Sequence, residues 1–556
     1  MHPAVADRLA RLAPDQRAAA TAPPGPVLCV APAGSGKTTT LVARVAWLVD
    51  GGCAPGAITV VAFNTRAAVE LGERLSLALQ PLGVTPGAVR VRTFHALGRE
   101  VLREAGRSVD LADRATVLRS LVPDLSRADL GRLDLAISRL KLDLRVSPEE
   151  IAADPLAGPV ARTFVAYEAA LREVGAVDFD DLVVRALELL DADADVLDLW
   201  RARCRDLLVD EAQDLDRTQL ELAMRLAAPG NRVFLVGDDD QTIYGWRLAD
   251  VRRVLGLAAA LPGLRRVDLT VNYRCPGPVV ARAVRLIEVN QERFAKSIRS
   301  RPDAPGRLLL APSAADDAVR LRQAMATWPQ DGSTSAVLTR TNRELLPAVV
   351  ACLELDRAFR APALPLPLLD DRLDALLALV AETPPGRPLL VRVGIVRDRL
   401  AVEPGALALP TAPGAGLGGA GAEAIDDDRP APADLAAAVL GWAVTSQTLA
   451  DLTDRVAHAR ERLRALHVED APLTLATAHG TKGLEFDHVV VLADGFPARR
   501  AVGEAAEPER VLEEERRLAY VAWTRARRTL TLLYDPGAIP VFLHEAFDVA
   551  ELEPAA

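Results

Sequence analysis

Short runs of consecutive apolar residues alternate with longer amphipathic segments in the first half of the chain. Four of these runs are Val27–Val30, Thr59–Phe63, Leu207–Val209 and Val233–Val236. Strands that are apolar on both faces are typical of a parallel sheet covered by helices on both sides. The pattern therefore predicts an α/β unit built on a parallel sheet.

The rest of the chain contains a helical stretch, a second α/β pattern and a compositional break. From about Ala96 to Leu190 the periodicity is helical throughout, which predicts a helical insertion into the first α/β unit. A second α/β pattern begins near Arg265. Its strand-like runs include Ala336–Thr339, Leu473–Ala476, Val489–Leu492 and Leu530–Tyr534. Of the 34 residues from 401 to 434, 11 are Gly or Pro, which predicts a flexible linker.

These patterns translate into domain boundaries. The predicted parts are a first α/β domain at 1–95 and 191–262, its helical insertion at 96–190, a second α/β domain at 263–380 and 435–556, and a linker at 381–434. A chain of 556 residues exceeds the size of a single hydrophobic core, which agrees with several domains.

The composition is that of a soluble protein without a cysteine framework. Half of the residues are apolar, 26% are charged and the formal net charge is −10, so no global basic field indicates nucleic acid. A local basic groove remains compatible with this balance. The five cysteines form no CxxC pair, and no apolar stretch reaches the 18 residues of a membrane span. We therefore expect a cytoplasmic protein without disulfides, zinc or membrane contact.

Only four of the 66 basic residues are lysines, and one of them, Lys37, lies in a glycine-rich turn between an apolar run and a helical segment. This context indicates a phosphate-binding loop, in which backbone N–H groups surround the β-phosphate. We expect Lys37 to contact the β- and γ-phosphates of ATP and Thr38 to ligate Mg²⁺. The residues predicted to bind the nucleotide here are Ala31, Pro32, Ala33, Gly34, Ser35, Gly36, Lys37, Thr38 and Thr39.

Two polar segments that follow later apolar runs supply candidate groups for hydrolysis. Asp210 is expected to hold Mg²⁺, while Glu211 orients and deprotonates the attacking water. Gln241 can contact the γ-phosphate or the water and so report hydrolysis to the segment that follows it. Trp246 stands five residues later in a polar segment, where base stacking explains a large ring better than packing alone.

The motifs, taken in order, resemble those of the UvrD/Rep/PcrA group of superfamily 1 helicases. Further segments that carry the resemblance are Leu12–Gln16, Ala62–Ala68, Thr93–His95, Asn272–Cys275, Thr477–Phe486 and Val521–Ala526. They extend the resemblance over nearly the whole chain. It implies an α/β fold class with two RecA-like P-loop NTPase motor domains, each with a parallel sheet, and a helical insertion in the first.

The resemblance also implies roles for individual residues. For the nucleotide, it implies that Gln16 reads the adenine edge, that Tyr273 stacks on adenine and that Glu485 lies near the ribose. Arg274 and Arg525 would reach the γ-phosphate, both from the second domain. The residues it implies for contact with DNA are Phe63, Asn64, His95, Tyr244, Trp246, Arg340 and His479. Phe179 is expected instead to anchor the return of the helical insertion.

One departure from the group concerns its large helical accessory domain. Between Asn342 and Leu473 the chain has only about 130 residues, which include the Gly/Pro-rich stretch. Phe359–Pro367 stands where the group carries a Gly-Gly motif. We therefore expect a strongly reduced accessory domain, and we hypothesise a motor that translocates readily on single strands but unwinds weakly or only with a partner.

The sequence favours an ATP-dependent DNA helicase or translocase, which the resemblance makes 3′-to-5′. Its expected partners are single-stranded DNA, single-strand/double-strand junctions and proteins of repair or replication, and it is expected to be a monomer. One alternative is a translocase that strips proteins from DNA without processive unwinding. Another is a non-catalytic DNA-binding regulatory subunit on a motor fold, which the presence of Lys37, Asp210 and Glu211 disfavours. RNA is a less expected track.

Overall fold

The computed structural model describes residues 1–123, 125–154, 157–402, 407, 432–498 and 507–552. The β-strands in these ranges are β1 Val27–Val30, β2 Ile58–Val61, β3 Arg90–Arg92, β4 Asp206–Val209, β5 Val233–Gly237, β6 Arg265–Asp268, β7 Val271–Asn272, β8 Arg299–Ser300, β9 Arg307–Pro312, β10 Ser335–Thr339, β11 Leu473–Thr477, β12 Phe486–Leu492 and β13 Ala526–Tyr534.

The α-helices alternate with these strands and also form two separate groups. They are α1 Pro3–Ala10, α2 Pro14–Ala20, α3 Lys37–Asp50, α4 Thr65–Leu79, α5 Phe94–Glu104, α6 Arg114–Leu121, α7 Arg127–Ser138, α8 Pro148–Ala152, α9 Pro159–Glu173, α10 Asp181–Ala192, α11 Ala194–Arg203, α12 Arg217–Ala227, α13 Val251–Leu255, α14 Leu257–Ala260, α15 Gly277–Ile287, α16 Asp317–Ala326, α17 Leu346–Glu354, α18 Arg372–Glu382, α19 Leu389–Val402, α20 Pro432–Thr445, α21 Leu449–Leu466, α22 Pro508–Trp523, α23 Val541–Ala546 and α24 Val549–Leu552. None of the helices in the described residues combines the length and apolar character that crossing a membrane requires.

The chain divides into two compact units, each built on a parallel sheet. The first comprises Met1–Pro305 with Arg500–Thr524, and the second comprises Gly306–Arg499 with Arg525–Ala556. The main sheet of the first unit has the strand order β3-β2-β4-β5-β1-β6, and that of the second has the order β11-β10-β12-β13-β9. All of these neighbours pair in parallel. The predicted α/β class with two parallel-sheet domains is therefore confirmed.

The central strands of the first sheet are apolar on both faces because helices cover both faces. In β1, Leu28 and Val30 join one hydrophobic cluster, while Val27 and Cys29 join the cluster on the opposite face. Successive side chains of a strand point to opposite faces, so an uninterrupted apolar run fills both cores at once. The polar residues that follow β1, β4 and β5 consequently lie at one edge of the sheet, where the strands end.

The boundary between the two units differs from the predicted one. Strand β6 pairs in parallel with β1, with Arg265 opposite Val27, and so forms the edge of the first sheet. The first unit extends to Pro305 and also includes helix α22. In α22, the Arg516 side chain donates to Asn290 Oδ1 at 2.5 Å. The start of the second domain at 263, and the assignment of α22 to it, are corrected accordingly.

The helical insertion is shorter than the predicted range 96–190. Helices α5 and α10 pack their apolar faces into the core of the first sheet, through residues such as Leu97 and Val183. Helices α6 to α9 form a separate core around Phe164 and Tyr167. Leu111 and Val177 form a parallel bridge where the chain enters and leaves this group. The independent part of the insertion therefore lies between these two residues.

The predicted linker at 381–434 also requires a correction. Helices α19 and α20 extend into this range, and they share a hydrophobic core with α18 and α21 that includes Leu373, Val393, Val439 and Val456. We call these four helices the helical cluster. Residues 403–406 and 408–431, which hold most of the Gly/Pro-rich segment, lie outside the described residues.

Candidate nucleotide site and nucleic-acid interface

The glycine-rich turn joins the end of β1 to the start of α3. Gly34 and Gly36 have φ angles of +67° and +86°, in the left-handed region that side chains with a Cβ disfavour. A Cβ at Gly34 would lie 2.7 Å from Arg274 Cβ, and one at Gly36 would lie 2.6 Å from Gln16 Nε2. Because α3 begins at Lys37, the turn directs backbone N–H groups of a helix N-terminus toward one point. This geometry is that of a phosphate-binding loop.

Lys37 faces the acidic pair that follows β4. Its ammonium group lies 3.3 Å from Glu211 Oε2. Burial, with the nearby Glu211 carboxylate, raises the pKa of Asp210 to about 7. The Thr38 hydroxyl and the Asp210 carboxylate are oxygen donors of the kind that Mg²⁺ prefers. A cation and two carboxylates at the carboxyl edge of the sheet suit the binding of a metal-bound polyphosphate.

A chain of hydrogen bonds continues from Glu211 to the segment that follows β5. Gln213 Nε2 donates to Glu211 Oε2 at 2.6 Å, and Gln213 Oε1 accepts from the backbone N–H of Asp238 at 2.9 Å. Gln241 Nε2 in turn donates to Asp238 Oδ2 at 2.5 Å. The predicted catalytic residues after β4 and β5 are thus connected through Gln213, a residue with no role among the sequence-based predictions.

The predicted adenine-side residues border the same loop. Gln16 Nε2 donates to the Ser35 carbonyl at 2.8 Å, so this side chain braces the turn. The Tyr273 backbone N–H donates to the Gly34 carbonyl at 2.8 Å, and the Tyr273 side chain is 41% exposed, which leaves its ring available for stacking. Arg274 lies in the first unit with the loop, and its Nη1 donates to the Thr524 carbonyl at 3.3 Å. The expectation that Arg274 comes from the second domain is therefore wrong.

The predicted residues of the second unit separate onto two edges of its sheet. Arg340 follows β10 and His479 lies just after β11, so both stand at the carboxyl edge, on neighbouring strands. Glu485 and Arg525 precede the paired strands β12 and β13, at the amino edge. Arg525 is buried and donates to the Leu484 carbonyl at 3.1 Å. The structure thus separates the pair predicted for DNA from the pair predicted for the nucleotide.

Aromatic rings gather in the first unit beyond the ends of β2 and β5. The Phe63 and Tyr244 rings stack with centroids 5.1 Å apart, and Trp246 meets Tyr244 edge-on at 6.1 Å. Trp246 is 51% exposed, and the Arg247 guanidinium lies 4.7 Å from its ring centroid. We call Phe63, Tyr244 and Trp246 the aromatic surface. Nearby in sequence, the Asn64 side chain caps α4 by accepting from the Ala67 N–H at 2.8 Å.

A second ring pair joins the helical insertion to helix α5. His95 and Phe179 stack with centroids 3.9 Å apart, and burial lowers the pKa of His95 to about 4, so its ring is neutral near pH 7. Phe179 is 51% exposed, and its stack on His95 agrees with the expectation that it anchors the return of the insertion. Asp178 also holds this return, since it accepts from Arg114 Nη2 at 2.7 Å and from Lys141 at 2.9 Å.

Two lysines with no predicted role are each enclosed by three carboxylates. Lys141 lies between 2.6 and 2.9 Å from Glu168, Asp178 and Asp181. These carboxylates are grouped closely enough to suggest a metal site, but the Lys141 ammonium already pairs with all three. The partners of Lys296 are Asp238, Asp239 and Asp240.

Comparison with known proteins shows which protein family this chain resembles. Residues 12–261 match the model of the UvrD/REP helicase N-terminal domain, and residues 442–536 match that of the UvrD-like helicase C-terminal domain. DNA helicase II of Escherichia coli strain K12 is 31% identical over 365 residues, which cover 62% of this chain and 50% of that protein.

Two further relatives are similar over shorter regions. The ATP-dependent DNA helicase Rep of the same strain is 34% identical over 308 residues, covering 52% of this chain and 45% of Rep. The ATP-dependent DNA helicase PcrA of Leuconostoc citreum is 33% identical over 291 residues, covering 49% of this chain and 38% of PcrA. The chain thus spans about half or less of the length of these relatives. With both characteristic domains matched in order, the chain belongs to the UvrD/Rep helicase family.

Proposed function

We propose that this protein is an ATP-dependent DNA motor, a helicase or translocase that moves 3′-to-5′ on single-stranded DNA. The names of its relatives, DNA helicase II, Rep and PcrA, support the class of activity. The observation that carries the proposal is the run of hydrogen bonds in the first unit from Lys37 through Glu211, Gln213 and Asp238 to Gln241. Gln241 lies three residues before Tyr244, one of the three residues of the aromatic surface.

The residues at the carboxyl edge of the first sheet suit ATP hydrolysis. The N-terminus of α3 and Lys37 would hold the phosphates, and Glu211 would accept a proton from the attacking water. Mg²⁺, held by Thr38 and Asp210, would neutralise charge on the phosphate oxygens. Arg274 and Arg525 would add cationic charge at the transferring phosphoryl group, where it stabilises the transition state most. Hydrolysis would weaken the contacts of Glu211 with Lys37 and Gln213. Because Gln213 and Gln241 both bond to Asp238, this change would shift Gln241.

Single-stranded DNA is the track that the exposed rings suit best. Trp246 and Phe179 each expose about half of their surface, and each rests on another aromatic ring. Aromatic faces of this kind stack on bases with little sequence preference, at about 1–3 kcal/mol per base. Arg340 and His479 would contact the strand from the second unit. We extend the proposal to a cytoplasmic monomer that acts at single-strand/double-strand junctions in repair or replication, with protein partners from those processes.

A second candidate is a translocase that removes proteins from single strands without processive unwinding. The observation that favours it lies between the two family matches, in residues 262–441. The described part of that stretch includes α18, α19 and most of α20, which pack with α21 in the four-helix cluster. In the described residues this module consists of four helices, which offer little surface for holding a duplex.

Displacement of end-blocks from single-stranded DNA tests the proposal and its direction. Oligonucleotides carrying biotin at either the 5′ or the 3′ end are blocked with streptavidin and incubated with the protein and ATP. Movement 3′-to-5′ displaces streptavidin from the 5′ end at least about tenfold faster than from the 3′ end. Faster release from the 3′ end would contradict the proposed 3′-to-5′ direction. Release at both ends without ATP would contradict the proposal of an ATP-dependent motor. Unwinding of a 3′-tailed duplex then separates the helicase from the translocase.

A further inference from the structure

Lys296 is buried in the first unit at the centre of an acidic loop. Its side chain is 1% exposed, and its ammonium lies 2.9 Å from Asp238 Oδ1 and 2.9 Å from Asp240 Oδ2. Asp239 is its third partner. These aspartates follow β5 directly and precede Gln241, so one lysine ties together the whole segment that carries the predicted sensor glutamine.

Two neighbours of Lys296 hold the same segment. Arg293 forms a two-point pair with Asp240, with Nε 3.0 Å from Oδ1 and Nη2 2.8 Å from Oδ2. The Phe294 backbone N–H donates to Asp239 Oδ2 at 2.8 Å. The stretch between α15 and β8 therefore holds all three aspartates of the acidic loop.

Asp238 is the point where this clamp meets the hydrogen-bonded path from the nucleotide site. Its backbone N–H donates to Gln213, its Oδ2 accepts from Gln241, and its Oδ1 accepts from Lys296. Gln213 in turn contacts Glu211, the partner of Lys37. Any shift of Asp238 would move Gln241 relative to Glu211, and Lys296 is the group that opposes such a shift.

We propose that Lys296 is a positioning residue that couples ATP hydrolysis to the bound DNA strand by fixing Asp238 between Gln213 and Gln241. This inference rests on the proposed motor function and goes beyond it, since Lys296 touches neither the nucleotide site nor the aromatic surface in the described contacts. An ammonium directs three N–H donors from one atom, whereas a guanidinium places its donors in a plane. Three carboxylates around one point thus favour lysine, in a chain where only four of the 66 basic residues are lysines.

Steady-state ATPase assays on Lys296→Met test the proposal. The contacts of Lys37 and of the α3 N-terminus remain in this variant, so the KM for ATP stays within about twofold of wild type. The stimulation of kcat by single-stranded DNA falls at least about tenfold, because Gln241 is no longer held against Asp238. Unchanged stimulation in the variant overturns the inference.

Arg232→Met is the control for the loss of an ion pair to a buried carboxylate, since the Asp206 side chain is 4% exposed and that of Arg232 is 24% exposed. Arg232 pairs with Asp206 through Nη2, 2.5 Å from Oδ1 and 2.7 Å from Oδ2, and Asp206 starts β4 at the opposite edge of the same sheet. This variant should lose thermal stability to a similar extent but keep its stimulation by DNA within about twofold. Equal loss of stimulation in both variants means that Lys296 has only a structural role, which also overturns the inference.

Two more variants complete the test. If Lys296→Met does not fold, Lys296→Arg is measured instead. A stimulation of kcat by DNA that is reduced at least about threefold in this variant supports the proposal. Stimulation equal to that of wild type overturns it. In a Gln241→Ala background, Lys296→Met should cause no further loss of stimulation, because both changes interrupt one path. Additive losses contradict that path. A wild-type protein that DNA does not stimulate refutes the proposed function itself, so the two failures are distinguishable.

Discussion

Two of the four lysines in this chain lie where a single cation faces carboxylates from more than one direction. Lys141 and Lys296 each pair with three carboxylates while almost wholly buried, and Lys37 faces Glu211. A buried carboxylate without a partner costs several kcal/mol, so these ammonium groups hold loops that would otherwise separate. The same pairing raises the pKa of Lys296 and keeps it charged despite its burial.

The sequence predicts a role for Lys37 but none for the other two lysines. Lys37 lies in a glycine-rich turn and faces the acidic pair after β4, and both segments are recognisable in the sequence. The partners of Lys141 lie 27 to 40 residues away, and Asp238 lies 58 residues from Lys296. Only the folded chain brings such charges together, so no local pattern identifies them.

Replacement of Phe179 tests the second ring pair as a base-stacking site. Phe179→Ala should raise the concentration of single-stranded DNA needed for half-maximal ATPase stimulation by about tenfold, which corresponds to one lost base stack. The thermal midpoint should change little, since the ring is already half exposed. Titration of ATPase rate against oligonucleotide concentration measures the effect.

Val174→Ala is the control, because Val174 is an apolar residue that is 71% exposed and lies five positions before Phe179 in the chain. It should leave the DNA dependence unchanged. A Phe179→Ala protein with wild-type DNA affinity would show that the exposed ring does not touch the strand.

Helices and strands followed from the sequence where burial on both faces gave a clear pattern. The runs at β1, β2, β4 and β5 were predicted within about two residues because each is buried on both faces. Strand β6 is an edge strand that begins with two exposed arginines, and nothing in its pattern says which sheet it joins. The helical cluster was missed because an adjacent Gly/Pro-rich composition dominated the interpretation of that stretch.

The buried residue at the N-terminus of α12 predicts that the stability of the folded protein depends on pH. Asp216 caps this helix by accepting from the Gln219 N–H at 2.8 Å, and burial raises its pKa to about 7. The folded state therefore holds a proton that the unfolded chain releases near pH 4, so this residue's contribution to stability falls as the pH rises from about 4 to 7. The loss is on the order of 2–4 kcal/mol.

Asp216→Asn keeps an oxygen for the cap but cannot ionise. The thermal midpoint of the variant relative to wild type should therefore be higher at pH 8 than at pH 5. Melting curves followed by circular dichroism at both values measure this difference. A difference that is the same at pH 5 and pH 8 would mean that Asp216 titrates normally.

At the scale of the whole molecule, the two units carry different parts of the proposed machinery. The first contains the phosphate-binding loop, the acidic pair, Arg274 and the aromatic surface. The second contributes Arg525 and Glu485 at one edge of its sheet and Arg340 and His479 at the other. Motif order predicted two α/β domains, but the unit boundary depends on strand pairing between distant residues, which composition does not reveal.

In the proposed function, the first unit couples ATP hydrolysis to a single strand of DNA. The most direct measurement is the ATPase rate of the full chain with and without single-stranded DNA, with Lys37→Met as the inactive control. We predict that DNA raises the wild-type rate at least about tenfold and that Lys37→Met lowers the rate at least about a hundredfold. A rate that is the same with and without DNA, or full hydrolysis by Lys37→Met, would contradict this coupling.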